Sequence, residues 1–212
     1  MKYSFRPLIA GAVLALASQA QSAVVSFSGQ FAQDDSFAVH AFTTSASGQI
    51  TIESFGYAGG LNGSGQNVAA GGFDPVIALF SSSGAFIAGA DDGAARVDPL
   101  TGSASDPLFS WLLEAGSYFI AVSQYFNFPN GDWSDGWGES GANFTDVFGC
   151  AAGQFCDASG LDRSNAYNVS ISGDNLVVAE VPEPGTLALM AGALGAFVWG
   201  RRRERRGPFS RG

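Results

Sequence analysis

Carboxylates dominate the chemistry open to this chain. Asp91 and Asp92 stand together before Gly93, and Asp74, Asp98 and Asp106 fall in segments read as neighbouring loops. A hard divalent cation takes six to eight oxygens from carboxylates and carbonyls, so Asp74, Asp91, Asp92 and Asp98 are the candidate calcium ligands. A second acidic run, "DWSDGWGE" over 132–139, sets Asp132, Asp135 and Glu139 on one glycine-flexible loop, without the spacing of an EF-hand. The competing reading is that these aspartates cap turns through their own backbone. In the same run Trp133 and Trp137 stand among Asn130, Asp132, Asp135 and Asn143. Exposed rings that stack on apolar sugar faces, beside groups that bond hydroxyls, would make a glycan surface. Tryptophans that fold inward and close one end of the domain would not.

Cys150 and Cys156 are the two cysteines, and His40 is the one histidine. Zinc therefore lacks a ligand set, and a pair so close in an exported chain is expected to form a disulfide. That bridge would pin a loop and add about 2 kcal/mol. Catalysis has little to stand on. The sequence has no Gly-x-Ser-x-Gly elbow and no phosphate loop. A non-enzyme is expected. The alternative is a small secreted hydrolase that uses a pair of acids.

The elements that must position these residues are strands. Period-two alternation runs through "VVSFSGQF", "SFAVHAFTT" and "GQITIESFGY". "DPVIALFSSSGAFIAGADDG" reads as two strands around a turn at Ser83-Gly84, and "PLFSWLLEAGSYFIAVSQYF" as another pair turning at Glu114-Ala115-Gly116. "NAYNVSISG" is a last strand. Many short strands with turn signals between them predict an all-β, antiparallel β-sandwich. Two stretches exceed an ordinary loop: 58–72, rich in glycine, and an insertion over 127–164, whose aromatic residues and cysteines predict an ordered segment.

Both ends of the chain read as processing segments. Lys2 and Arg6 precede an apolar run, Leu8 to Ala17, and small residues follow at Ser18 and Ala20. This is the layout of a secretory signal peptide, so an N-terminal signal helix is expected within 1–23. Cleavage after Ala20 fits best, and cleavage after Ala23 is the alternative. At the other end, Gly185 to Gly200 is sixteen residues without a charge. As a helix it would reach roughly 24 Å, short of a hydrocarbon core of about 30 Å. Arg201, Arg202, Arg203, Arg205 and Arg206 follow and would stay on the cytoplasmic side, leaving 207–212 as a cytoplasmic tail. A short C-terminal transmembrane helix with the bulk of the chain outside is the expectation.

The exported part, 24–181, has two basic residues, Arg96 and Arg163, against seventeen acidic ones, a net charge of −15. The whole-chain value of −9 conceals this. Such a domain repels nucleic acid and anionic membrane surfaces and attracts divalent cations. Its length suffices for one domain with a sizeable core.

Pro182-Glu183-Pro184, a short apolar segment and a terminal arginine cluster together resemble the PEP-CTERM sorting signal. The resemblance implies a Gram-negative host that makes an exopolysaccharide. It implies recognition of 182–206 by an exosortase, with inner-membrane anchoring in transit and then a place at the cell surface or in the extracellular matrix. Prolines on both sides of Glu183 keep the tripeptide extended, as a membrane protease requires. "FDPVIALFSSSGAFIAGADDG", "FSWLLEAGSYFIAVSQY" and "YNVSISG" resemble bacterial pre-peptidase C-terminal domains, which implies a jelly-roll-like sandwich of about eight strands and a non-catalytic module. The expected function is an exported protein that contacts exopolysaccharide, with calcium as the one cofactor considered. A self-associating surface protein with no ligand is a further alternative.

Overall fold

The computed structural model describes residues 22–150 and 153–177. The expected signal helix, the C-terminal helix, the Pro182-Glu183-Pro184 motif and the arginine cluster lie outside the described residues. The chain divides into two units, 1–178 and 179–212. Among the described residues no helix is long and apolar enough to cross a membrane.

The domain is all-β. In chain order the strands are β1 Ala23–Gln30, β2 Phe37–Thr44, β3 Gly48–Ser54, β4 Gly60–Leu61, β5 Asn67–Val68, β6 Pro75–Ser81, β7 Phe86–Ala90, β8 Leu108–Leu113, β9 Gly116–Gln124, β10 Ala166–Gly173 and β11 Leu176–Val177. Four form one antiparallel sheet in the order β1-β10-β3-β8, and five form a second in the order β11-β2-β9-β6-β7. β4 and β5 pair with each other as a separate two-stranded sheet.

Alternation explains the layering. Ile50 and Ile52 on β3 and Val169 and Ile171 on β10 point from the first sheet into one cluster with Phe42, Ile77, Leu79, Ile120 and Val122 from the second. Successive strand residues face opposite sides, so the residues between them face outward. Ile52 pairs with Ile171 across β3 and β10, and neither side chain is exposed.

The turn at Ser83-Gly84 forms as expected. Gly84 takes φ +90° and donates its N–H to Ser81 O at 2.9 Å. β6 and β7 pair as a hairpin around it. The second expected hairpin does not form. β8 pairs with β3 and β9 with β2 and β6, so the link through Glu114 and Ala115 passes from one sheet to the other. Burial drives this crossing. Leu113 ends β8 in the core, and Ile120 and Val122 enter the same core from the facing sheet. Thr44 stitches the crossing, its hydroxyl donating to Glu114 O at 2.6 Å.

Both long loops are built segments. Residues 58–72 contain the β4–β5 pair and lie against the outer side of β10, where Gly63 N–H donates to Ser170 Oγ at 3.0 Å. Close approach explains a glycine here. A Cβ on Gly72 would stand 2.6 Å from the carbonyl oxygens of Gly56 and Ala166. The insertion holds two short 3-10 turns, Trp133–Asp135 and Phe144–Phe148.

Replacing Ile171 by alanine removes a fully buried side chain between the sheets. The expected loss is about 2–5 kcal/mol, read from urea unfolding at constant m-value.

Candidate functional site

The strongest electrostatic feature is a buried arginine. The Arg163 side chain is 1% exposed. Its Nη1 donates to Asp98 Oδ2 at 2.9 Å, Nε to Gly72 O at 2.9 Å and Nη2 to Tyr57 O at 3.0 Å. The guanidinium lies 4.0 Å from the centre of the Tyr57 ring, and Asp157 Oδ2 is 3.8 Å from Nε. Planarity and five fixed donors let one arginine reach three chain segments at once. Asp98 also accepts from Thr101 N–H and the Thr101 hydroxyl. Burial acts to raise the Asp98 carboxyl, but donation from Arg163 and Thr101 outweighs it and holds the group below its ordinary range.

Arg96 repeats the arrangement nearer the surface. It donates to Glu53 Oε1 and to Ser54 O, and lies 4.0 Å over the Phe55 ring. Asp106, fully buried, accepts from Tyr57 N–H and Ala58 N–H at 3.1 and 2.9 Å. Arg96 and Arg163 thus organise the loops around them.

The expected calcium residues divide. Asp98 belongs to the Arg163 cluster and does not join the others. Asp74, at the start of β6, is 9% exposed, and its carboxyl is pushed up to about 8. Burial is the main cause, followed by the charges of Asp92, Asp91, Asp157 and Asp106. Burial also raises the Asp92 carboxyl, with Asp91 adding to it. Asp74, Asp91 and Asp92 therefore sense one another at one end of the sandwich. Among the described residues no group of three or more His, Cys, Asp or Glu is arranged to hold a metal ion. The 132–139 run is tied both to itself and to the β6–β7 hairpin. Asp135 accepts from Asp132 N–H at 2.9 Å, and Asp132 accepts from Phe86 N–H at 2.8 Å. These two aspartates fasten turns and a strand end.

Trp133 and Trp137 do not close the end of the sandwich. They lie half-buried on the outer face of the five-stranded sheet. Trp133 packs edge-on against Phe37, Phe80 and Phe119, and Trp137 stacks on Phe37 with centroids 5.1 Å apart. Cys150 and Cys156 form a disulfide, Cα to Cα 5.7 Å. Thr145 anchors the segment beside it, accepting from Cys156 N–H and donating to the buried Asp34 at 2.8 Å. His40 faces the core, stacked on Phe27 at 4.3 Å, with Nε2 3.1 Å from the Tyr167 hydroxyl. Burial lowers its pKa.

Sequence reasoning missed two things here. Arg163 is one, although two cations among seventeen acids were a usable signal. The other is an exposed aromatic group of Phe126 and Phe128 with Tyr125. Phe126 takes φ +75°, an uncommon conformation for a bulky residue, and no local sequence signal marks it.

Comparisons complete the picture. The family described as the PEP-CTERM protein-sorting motif matches residues 180–206. Among solved structures, the chain is similar to the pre-peptidase C-terminal domain of a collagenase from Bacillus anthracis. That likeness has 13% identity and a TM-score of 0.33, covering 69% of this chain and 87% of that one. Comparison with curated proteins gives no match.

Two predictions follow from the charges. Arg163→Gln leaves Asp98 buried without its cation, and the expected loss is about 3–5 kcal/mol in urea unfolding. Asp74 binds a proton when folded that the unfolded chain releases above 3.8. Its contribution to stability is therefore lost as pH rises from about 4 to 8. Asp74→Asn should raise Tm relative to the parent at pH 8 and leave it nearly unchanged at pH 4, by calorimetry. Residues 180–206 carry a PEP-CTERM protein-sorting motif, and that motif implies an exported protein sorted by an exosortase through membrane-anchored transit.

Proposed function

We propose that this chain is a non-catalytic protein of the cell surface or extracellular matrix that contacts exopolysaccharide, with calcium as an accessory ligand. The sorting motif at 180–206 carries the reading, because it fixes the route of export. The proposed organisation is a signal peptide within 1–23, the sandwich domain over 24–181, the sorting and anchor segment over 182–206 and a tail over 207–212. β1 supports cleavage after Ala20. Its first residue, Ala23, pairs with Gly173, so cleavage after Ala23 would shorten the strand.

The non-catalytic reading is supported by how the reactive side chains are engaged. His40 is half-buried, stacked on Phe27 and hydrogen-bonded to Tyr167, and Asp98 and Asp157 lie beside Arg163. Polysaccharide contact is supported by the polar, lysine-free surface of the domain, and the half-exposed indoles of Trp133 and Trp137 add an apolar contact. Calcium is supported by net charge rather than by a preformed ligand set, since Asp74, Asp91 and Asp92 are not arranged as one. A divalent cation drawn to this end would favour the ionised form of Asp74 and offset its repulsion from Asp91 and Asp92.

Four results would support this reading. The exported protein recovered from the host should begin at Gln21 by mass spectrometry. Glu183→Ala should leave an uncleaved, membrane-retained form on a blot. The parent protein should co-sediment with the host's own exopolysaccharide, and calcium should raise its Tm more at pH 8 than at pH 5, as ionisation of Asp74 requires. No co-sedimentation with or without calcium would remove the polysaccharide reading.

A further inference from the structure

One cleft of the domain lies away from both the acidic end and the tryptophans. It has a volume of about 640 Å³, within the roughly 300–1,000 Å³ of small-ligand sites. Its floor is the outer face of β1 and β10, and its wall is the stretch after β4, residues 66–70. Ser28 pairs with Asn168 and Gln30 with Ala166 across the two strands. Phe27 on β1 packs against the core and Val169 on β10 lies in it, so Ser28, Gln30 and Asn168 on the alternate positions face the cleft. Among the described residues no carboxylate and no cation lines it. It is uncharged in a domain with seventeen acids and two bases.

Its amides are fixed in direction. Asn62, 4% exposed, donates from Nδ2 to Gln66 Oε1 at 3.2 Å and to Asn168 Oδ1 at 3.3 Å. Asn62 Oδ1 in turn accepts from Gln66 N–H at 2.9 Å and Ser64 N–H at 3.1 Å. With both oxygens turned to Asn62, the NH₂ groups of Gln66 and Asn168 are the ends left for the cleft. Gln30 and Asn67 add exposed amides, and Ser28 adds a hydroxyl. The wall between them is small, Val68, Ala69 and Ala70.

We propose that this cleft binds a segment of uncharged, hydroxyl-rich glycan. Oriented NH₂ donors meet hydroxyl and ring oxygens, amide oxygens and the serine hydroxyl accept from sugar hydroxyls, and the small wall leaves room for a pyranose. An acidic sugar finds no cation in the cleft and a domain of −15 around it. Asn62 is a positioning residue, because it acts through Gln66 and Asn168. The assignment rests on the polysaccharide reading above and narrows it to a neutral polymer and a place.

The test uses the full chain in a detergent without a sugar headgroup. The probes are cellohexaose, maltohexaose, mannohexaose and galactohexaose, with an alginate hexamer as the acidic comparison, read by calorimetric titration. Gln30→Ala/Asn67→Ala removes two exposed amides and no core contact. The expected result is saturable binding of at least one neutral hexaose, about tenfold weaker or more in the double variant, and none of alginate. Unchanged affinity in the variant, or preference for alginate, would overturn the cleft assignment. So would failure of every neutral hexaose while the host polysaccharide still co-sediments, which leaves the polysaccharide reading standing. Failure of hexaoses and host polysaccharide alike would overturn both.

Discussion

The fold's loops depend on one buried contact, the guanidinium of Arg163 against Asp98, the Tyr57 ring and the carbonyls of Tyr57 and Gly72. An ionised group this deep is tolerated only when its donors are matched, because desolvation costs several kcal/mol per ion. Matching them draws together loop 57–72, loop 94–107 and the end of the insertion. Two of the residues so placed, Gly72 and Ser164, line the uncharged cleft, so the clamp also sets one end of that site.

The sandwich and its coverings divide the work. Two sheets supply a dry centre by simple alternation. Each outer face then carries one long loop. Residues 58–72 cover the β1–β10 side through Asn62, Gly63 and Ser64. The insertion covers the β2–β9–β6 side through Trp133 and Trp137. Neither loop is a loose connection, since each is fixed by hydrogen bonds or aromatic packing to the sheet beneath. For an exported domain with strong self-repulsion, such fastening holds surface segments that charge alone would push apart.

Much of the sandwich was legible in the sequence. β1, β2 and β3 follow period-two alternation, β6 reads instead as a short apolar run because it is buried on both faces, and Ser83-Gly84 announces its turn by chemistry. The β8–β9 link was not legible. A short connection reads the same whether its strands pair or pass to opposite sheets, and only the shared core around Leu113 and Ile120 decides. The tryptophans illustrate the same limit. Their types signal a half-apolar surface, but which face they cover depends on Phe37 and Phe80, distant in sequence. The cleft has no local signal, because it is assembled from residues 28–30, 66–70 and 164–168. The aspartates were read as one set, yet Asp98 lies with Arg163 while Asp74 remains with Asp91 and Asp92.

Hydrogen exchange on Arg163→Gln against the parent protein would test the clamp most directly. The account predicts faster exchange at Gly71, Gly72, Ser164 and Gly102, whose N–H groups bond within the clamped loops, while Val122 and Ile171 in the sheets stay protected under native conditions. Exchange that rises equally in loops and sheets, or does not rise at the loops at all, would contradict it.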